Sequence, residues 1–277
     1  NASHEVAEDV SPPLVLVGVY SAKANFEKRQ AVRDTWGRAF QEIYRARVRF
    51  FLGRISSRPS VADDQVRREV TMHGDIVVLD VAEGYAMNAR KGLLFLEWCA
   101  KHAIAEFLLK VDDDVYLRPA PVLAVLHKRP PFGYIWGYFD YLSPVPREAG
   151  QAFYNDESTF PFEAFPPYPR GLVRAMSLDV VRRIAAAGQR DQLRMIFGDD
   201  PCLGVHLRQL IFDEEDPLPL LALDDRDSYR SFAMEPSCLP HLWSHMTPRS
   251  WVVHHVTAEQ LRCMWAADVA AGLYEIL

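Results

Sequence analysis

The stretch Ala105–Pro119, AEFLLKVDDDVYLRP, restricts the possible folds more than any other part of the chain. Phe107–Val111 is an apolar run broken only by Lys110, which predicts a buried strand of a parallel sheet. It ends in Asp112, Asp113 and Asp114, after which Val115, Tyr116 and Leu117 resume an extended apolar pattern. Three adjacent carboxylates at the end of a buried strand are costly unless something neutralises them. Divalent cations such as Mg²⁺ and Mn²⁺ prefer carboxylate oxygens. In open α/β sheets, ligands sit outside the carboxyl ends of the strands. An isolated Asp-Asp-Asp is more commonly a solvated turn, but apolar chain on both sides of this one favours a metal site.

The chain before this stretch alternates between strand and helix. Leu14–Tyr20 (LVLVGVY) predicts the first buried strand, and Ser21–Asn25 a polar loop. A helix is expected over Phe26–Arg38, with Asn25 as its N-cap. Val48–Leu52 reads as a second strand, Val61–Met72 as a helix, Asp75–Val81 as a third strand and Ala89–His102 as an apolar helix. Such alternation signals a parallel sheet with helices on both faces.

After Pro119 the texture changes. Tyr134–Tyr138 is an aromatic strand candidate, and Leu142–Pro169 is rich in Pro, aromatic and acidic residues without a period. A long irregular segment of this kind is usually functional, here as an acceptor-side loop. Pro166–Ser177 leads into a strand or turn, Leu178–Ala187 into a helix, and a further helix begins near Pro201. Asp213–Asp227 reads as an acidic connection, and Trp251–Val256 (WVVHHV) as a strand before a helix through Trp265.

The 277 residues are 49% hydrophobic, enough for one large α/β domain or two small ones. A net charge of −6 supplies no nucleic-acid-binding face. No run of 18 or more apolar residues predicts a membrane span. The four cysteines, Cys99, Cys202, Cys238 and Cys263, are too widely spaced for a zinc finger. They are either free core thiols or disulfide partners. Asn1-Ala2-Ser3 is a glycosylation sequon and points weakly toward the secretory pathway.

Four groups of residues carry possible chemistry: Arg29 with Arg33, Asp112–Asp114, Asp199 with Asp200, and His254 with His255. Arg29 and Arg33 share a helix face. They are either exposed helix charges or anion binders beside the first strand's carboxyl end. An Asp-Asp before a helix is more often an N-cap than a base, and a strand histidine more often a core residue than a ligand. Taken together, the four groups describe a site for a nucleotide diphosphate held through a metal.

These motifs, in order, resemble the inverting β1,3-glycosyltransferases of glycosyltransferase family 31. The resemblance runs from about Leu14 to Trp265. It is carried by VGVYSAKANFEKRQAVRDTWG (Val17–Gly37), FFLG (Phe50–Gly53), HGDIVVLDVAEGY (His73–Tyr85) with Lys91, KVDDDVYL (Lys110–Leu117), PPYPRGLVRAMSLDVV (Pro166–Val181), GDDPCLG (Gly198–Gly204) and WVVHHVTAEQLRCMW. AEGYAMNARKG (Ala82–Gly92) lacks the Asn-Leu-Thr usual in vertebrate members and is closer to plant and protist ones. Pro201 replaces a usual aliphatic residue.

The resemblance implies a single GT-A-type α/β domain over 1–277, with a mostly parallel sheet flanked by helices. Its nucleotide-binding half would span about 12–118 and its acceptor-binding half about 119–277. It implies inverting transfer of a hexose, most simply galactose, from a UDP-sugar to a glycan or glycoprotein acceptor in β1,3 linkage. N-acetylglucosamine is the alternative donor sugar. A non-catalytic glycan-binding or chaperone module and a metal-dependent nucleotide hydrolase are the rival readings. Mn²⁺ (or Mg²⁺) would be held by Asp114 with His254, while Asp112 and Asp113 would support the metal's water shell or the sugar. Asp200 is the expected base, ahead of Asp199. Ser21, Arg29, Arg33 and Lys91 would line the nucleotide site, and Gly171 would allow close backbone approach to the donor sugar. A Golgi or endoplasmic reticulum lumenal enzyme is implied, anchored through an N-terminal segment outside this chain, with at least one disulfide.

Overall fold

The computed structural model describes residues 13–55, 60–231 and 250–273. The Asn1 sequon and Cys238 lie outside the described residues.

The elements run β1 (Val15–Tyr20), α1 (Phe26–Asp34), α2 (Trp36–Glu42), β2 (Arg47–Leu52), α3 (Val61–His73), β3 (Ile76–Val78), α4 (Asn88–His102), β4 (Phe107–Asp112), β5 (Val115–Leu117) and α5 (Pro119–Leu126). They continue through β6 (Tyr134–Asp140), β7 (Tyr168–Ser177), α6 (Leu178–Gln189), α7 (Asp199–Ile211), β8 (Leu221–Asp224), β9 (Tyr229–Ser231), β10 (Val252–His254) and α8 (Ala258–Ala270). Seven strands form one sheet in the order β3-β2-β1-β4-β7-β6-β8. β7 runs antiparallel to both its neighbours, and the other pairings are parallel. The sheet is continuous from the first half of the chain into the second through the β4–β7 pairing. A small sheet, β5-β10-β9, stands beside it.

Apolar packing covers both faces. Val15, Val17 and Val19 of β1, with Phe107, Leu109 and Val111 of β4, pack against Val32, Trp36 and Phe40. Leu16 and Leu108 pack on the opposite side with Phe95 and Leu96 of α4, Ile184 of α6 and Leu207 of α7. Because side chains alternate along a strand, Tyr20, Lys110 and Asp112 belong to this second face.

The single helix expected over Phe26–Arg38 is two helices, broken at Thr35 (φ −127°, ψ −120°). Thr35 turns its hydroxyl back to the Ala31 carbonyl at 2.6 Å, and Trp36 donates its indole N–H to the Val115 carbonyl at 3.0 Å. The break thereby points Trp36 into the core. α3 is delimited as its sequence asks, by a Ser60–Asp63 capping box and a left-handed Gly74. β8 lies in the segment read as a connection, because this short, half-exposed edge strand has no apolar alternation to reveal it.

Candidate active site

β1 has β2 on one side and β4 on the other, so the strand order reverses between β1 and β4. The carboxyl ends of these two strands therefore open a crevice at a topological switch point. Ser21 leaves β1 there, and Asp112–Asp114 leave β4. The Ser21 hydroxyl donates to Asp113 Oδ2 at 2.6 Å, and the Asn25 amide donates to the same oxygen at 2.9 Å. Burial pushes the Asp113 carboxyl upward, partly opposed by these two bonds. Asp113 thus ties the two strand ends together.

Arg29 is fully buried and donates to both Glu69 oxygens, at 2.8 and 2.6 Å, and to Ser21 Oγ at 3.0 Å. Arg33 pairs with Glu69 at 2.7 Å and with Asp75 at 2.8 and 2.9 Å. Burial alone would raise the Glu69 carboxyl, but the two guanidinium groups outweigh it and hold it below its ordinary value. These pairs fasten α1 to α3 and to the residue before β3. Lys91, buried on α4, likewise gives its ammonium to the Ser21 carbonyl at 2.6 Å. Beside Asp113 and Asp114 the cation is Lys28, 3.4 Å from Asp114 and 3.7 Å from Asp113.

Asp114 sits in the turn between β4 and β5. Antiparallel pairing of β5 with β10 sets His254 opposite Val115, next to Asp114. His254 Nε2 lies 3.3 Å from Asp114 Oδ1, and the His255 ring stacks on His254 at 3.8 Å. His255 adopts a left-handed backbone (φ 63°). One ligand atom from each of Asp114, His254 and His255 falls within 4.8 Å of the others. Burial would raise the Asp114 carboxyl, but His254 and Lys28 outweigh it and hold it at about 2. An ionised oxygen beside two imidazoles fits a divalent cation that keeps further positions for other ligands. Asp112 is not in this cluster. Its carboxylate accepts from Lys110 at 2.5 Å, and burial raises it to about 6 despite that ammonium.

The second acidic pair opens α7. Gly198 (φ 99°) is the N-cap and no side chain caps the helix, so the capping alternative for Asp200 does not hold. Arg174, buried on β7, donates Nη1 to Asp200 Oδ1 at 3.0 Å and Nη2 to Asp199 Oδ2 at 2.9 Å. Two glycines make room for the pair. A Cβ on Gly171 would lie 2.2 Å from Asp200 Oδ1, and one on Gly92 would lie 2.1 Å from Asp199 Oδ1. Gly171 therefore accommodates the Asp200 carboxylate, where close approach to a sugar was expected. Burial, then the charge of Asp199, raises the Asp200 carboxyl above its ordinary value, although Arg174, Lys110 and the Gly171 N–H pull it down.

Lys110 and Arg174 escaped the sequence reading as site residues. They are direct cross-strand partners in the β4–β7 register. Lys110 bonds Asp112 and the Gly171 carbonyl, and Arg174 bonds Asp199 and Asp200. The one signal available was a cation inside each apolar run, LLKV and LVRAM.

The Galactosyltransferase family model matches residues 27–217. The chain belongs to the galactosyltransferase family. Within it, the chain is 30% identical over 202 residues to a mouse acetylgalactosaminyl-O-glycosyl-glycoprotein β-1,3-N-acetylglucosaminyltransferase, covering 70% of this chain and 51% of that protein. It is 28% identical over 198 residues to the Arabidopsis thaliana hydroxyproline O-galactosyltransferase GALT6, covering 70% of this chain and 28% of that one. This galactosyltransferase-family chain thus spans about half the length of the first and under a third of the second. A solved galactosyltransferase, LgtC with donor and acceptor sugar analogues, aligns at TM-score 0.46 and 13% identity over 94% of this chain and 97% of its own. The mostly parallel α/β sheet with both faces covered is the architecture expected of a GT-A-type domain.

Proposed function

We propose that this chain is the catalytic part of an inverting, Mn²⁺-dependent β1,3-hexosyltransferase, moving galactose from a UDP-sugar to a hydroxyl of a glycan or glycoprotein. One observation carries the reading. The carboxyl edge of a single sheet holds two distinct acidic groups, Asp114 among two imidazoles and Asp200 on a buried arginine. The first suits a metal-held diphosphate and the second suits proton transfer.

Asp114, His254 and His255 would hold the metal. A bound Mn²⁺ supplies Lewis-acid charge that stabilises a departing diphosphate. Lys28 adds a positive charge beside Asp113 and Asp114. A direct inverting displacement needs a base opposite the leaving group to take the acceptor's proton. Asp200 fits that role, because its elevated proton affinity strengthens it as a base while Arg174 fixes its orientation. Asp199 shares the guanidinium through its other terminal nitrogen.

The galactosyltransferase names among the relatives favour galactose as donor sugar, and the mouse relative's name makes N-acetylglucosamine the competing outcome. No helix among the described residues is long and apolar enough to cross a membrane. A Golgi or endoplasmic reticulum lumenal setting, with an anchor outside this chain, fits the family. Cys99 and Cys202 are free and buried; at least one disulfide among the four cysteines fits the lumenal setting.

Incubation with UDP-galactose or UDP-N-acetylglucosamine, Mn²⁺ and a panel of saccharide acceptors, with mass-spectrometric detection of products, tests the proposal. A β1,3-linked product is expected. UDP release at one rate with or without acceptor would mean a nucleotide hydrolase. Neither product nor UDP release would mean a non-catalytic module.

A further inference from the structure

Beside Asp200, three aromatic rings from three separate segments meet. Tyr85 follows Gly84 (φ 145°) in a 3₁₀ turn ahead of α4. Phe153 belongs to the long segment between β6 and β7, and Phe197 leads into α7. The Tyr85 ring lies 5.5 Å from Phe197 and 6.2 Å from Phe153. Tyr85 is 52% exposed and Phe153 and Phe197 are half-buried, so the three rings form a ledge whose outer edge, Tyr85, is open to solvent.

The ledge is held deliberately in place. Buried Asn155 donates to the carbonyls of Phe153 and Phe197, each at 3.0 Å, and accepts the Phe197 N–H at 2.8 Å. Phe153 takes a left-handed backbone (φ 60°), a costly conformation for a bulky residue that persists where the surroundings impose it. Its ring fills the space over Gly198, where a Cβ would lie 2.3 Å from Phe153 Cδ1. Gly198 immediately precedes Asp199 and Asp200, so the ledge and the proposed base are fastened to one helix start. Burial and then the charge of Asp200 raise the Tyr85 hydroxyl, which agrees with that proximity.

Exposed aromatic surface is unfavourable, and an occupant that covers the rings offsets it. A pyranose suits the place, having an apolar C–H face to lie on the rings and a rim of hydroxyls to turn toward a carboxylate. We propose that Tyr85, Phe153 and Phe197 form the platform on which the acceptor's terminal sugar lies, presenting the hydroxyl to be glycosylated to Asp200. The assignment of that sugar as the acceptor rests on the transferase reading; the stacking of a sugar ring does not.

The test uses the whole chain and two readouts. Saturation-transfer NMR with methyl β-galactoside and methyl β-N-acetylglucosaminide reads sugar binding without turnover. Steady-state kinetics reads the acceptor KM. Tyr85→Ala should raise the acceptor KM about tenfold and lose most of the saturation signal, while Tyr85→Phe, which keeps the ring, should retain both. UDP affinity in Mn²⁺ should change by less than about twofold in either variant. If wild-type protein makes no product yet binds a glycoside through Tyr85, the platform stands and the transferase reading falls. If Tyr85→Ala keeps both the signal and the acceptor KM of an active enzyme, the platform falls and the transferase reading stands. The platform also falls if Tyr85→Phe loses as much as Tyr85→Ala, or if neither glycoside gives a signal with the wild type.

Discussion

Arg174 Nη1 lies 3.0 Å from Asp200 Oδ1, and the guanidinium making that bond is buried within the sheet. The position of Asp200 is therefore set by β7 as much as by its own helix. A buried arginine must be paired, and Asp199 and Asp200 pair it from the first turn of α7. The same strand supplies Gly171, whose missing side chain leaves room for the carboxylate.

Gly171→Ala should therefore act on chemistry more than on folding. The new methyl would meet Asp200 Oδ1 at 2.2 Å and push the carboxylate aside. Misplacing a reacting group by an ångström costs on the order of 10²-fold in rate. Turnover should fall by about that factor, with UDP affinity in Mn²⁺ retained by calorimetry. Unchanged turnover would mean that the position of Asp200 does not matter.

The pH profile follows from the direction of the Asp200 shift. A base acts ionised, and burial with Asp199 raises this carboxyl above the ordinary aspartate value of about 3.9. Transfer should decline as pH falls through that raised value and level off above it. The stability contribution has the opposite sense: it is present below the unfolded-state pKa and is lost as pH rises through the folded one. Arg174→Gln removes a group that pulls the pKa down, so it should move the acidic limb of kcat/KM higher still. A limb that stays in place in this variant would assign it to another group.

Asp114→Ala should remove Mn²⁺-dependent UDP binding and leave the fold nearly intact. The residue lies in a turn, and its backbone carbonyl, which accepts the Val256 N–H at 3.0 Å, is untouched. Its partly exposed pairs with His254 and Lys28 contribute only about 1 kcal/mol at most. Calorimetry with and without Mn²⁺, beside a thermal melt, checks both halves of this expectation.

The strands of the nucleotide-side half were legible because a strand buried on both faces must be an apolar run, and β1 and β4, the latter broken only by Lys110, are such runs. The helix broken at Thr35 was not, since nothing local marks Trp36 as the residue that must reach Val115. Arg29 and Arg33 showed their charge in the sequence but not their partners, because Glu69 and Asp75 reach them only across α3 and β3. The closeness of Asp114 and His254 depends on the β5–β10 register, and that of Lys110 and Arg174 on the β4–β7 register. Such pairings between distant strands leave no periodic trace.

The central claim is that Asp200 is the base and stands apart from donor binding. Asp200→Asn keeps the size of the side chain and most of its hydrogen bonding while removing the proton acceptor, and Gly198, not Asp200, caps the helix. The most direct measurement pairs the transfer rate of this variant with its UDP affinity in Mn²⁺. The rate should fall by roughly 10²–10⁴-fold with affinity nearly unchanged. A stable Asp200→Asn protein that turns over close to the wild-type rate would contradict the account and shift the role to Asp199.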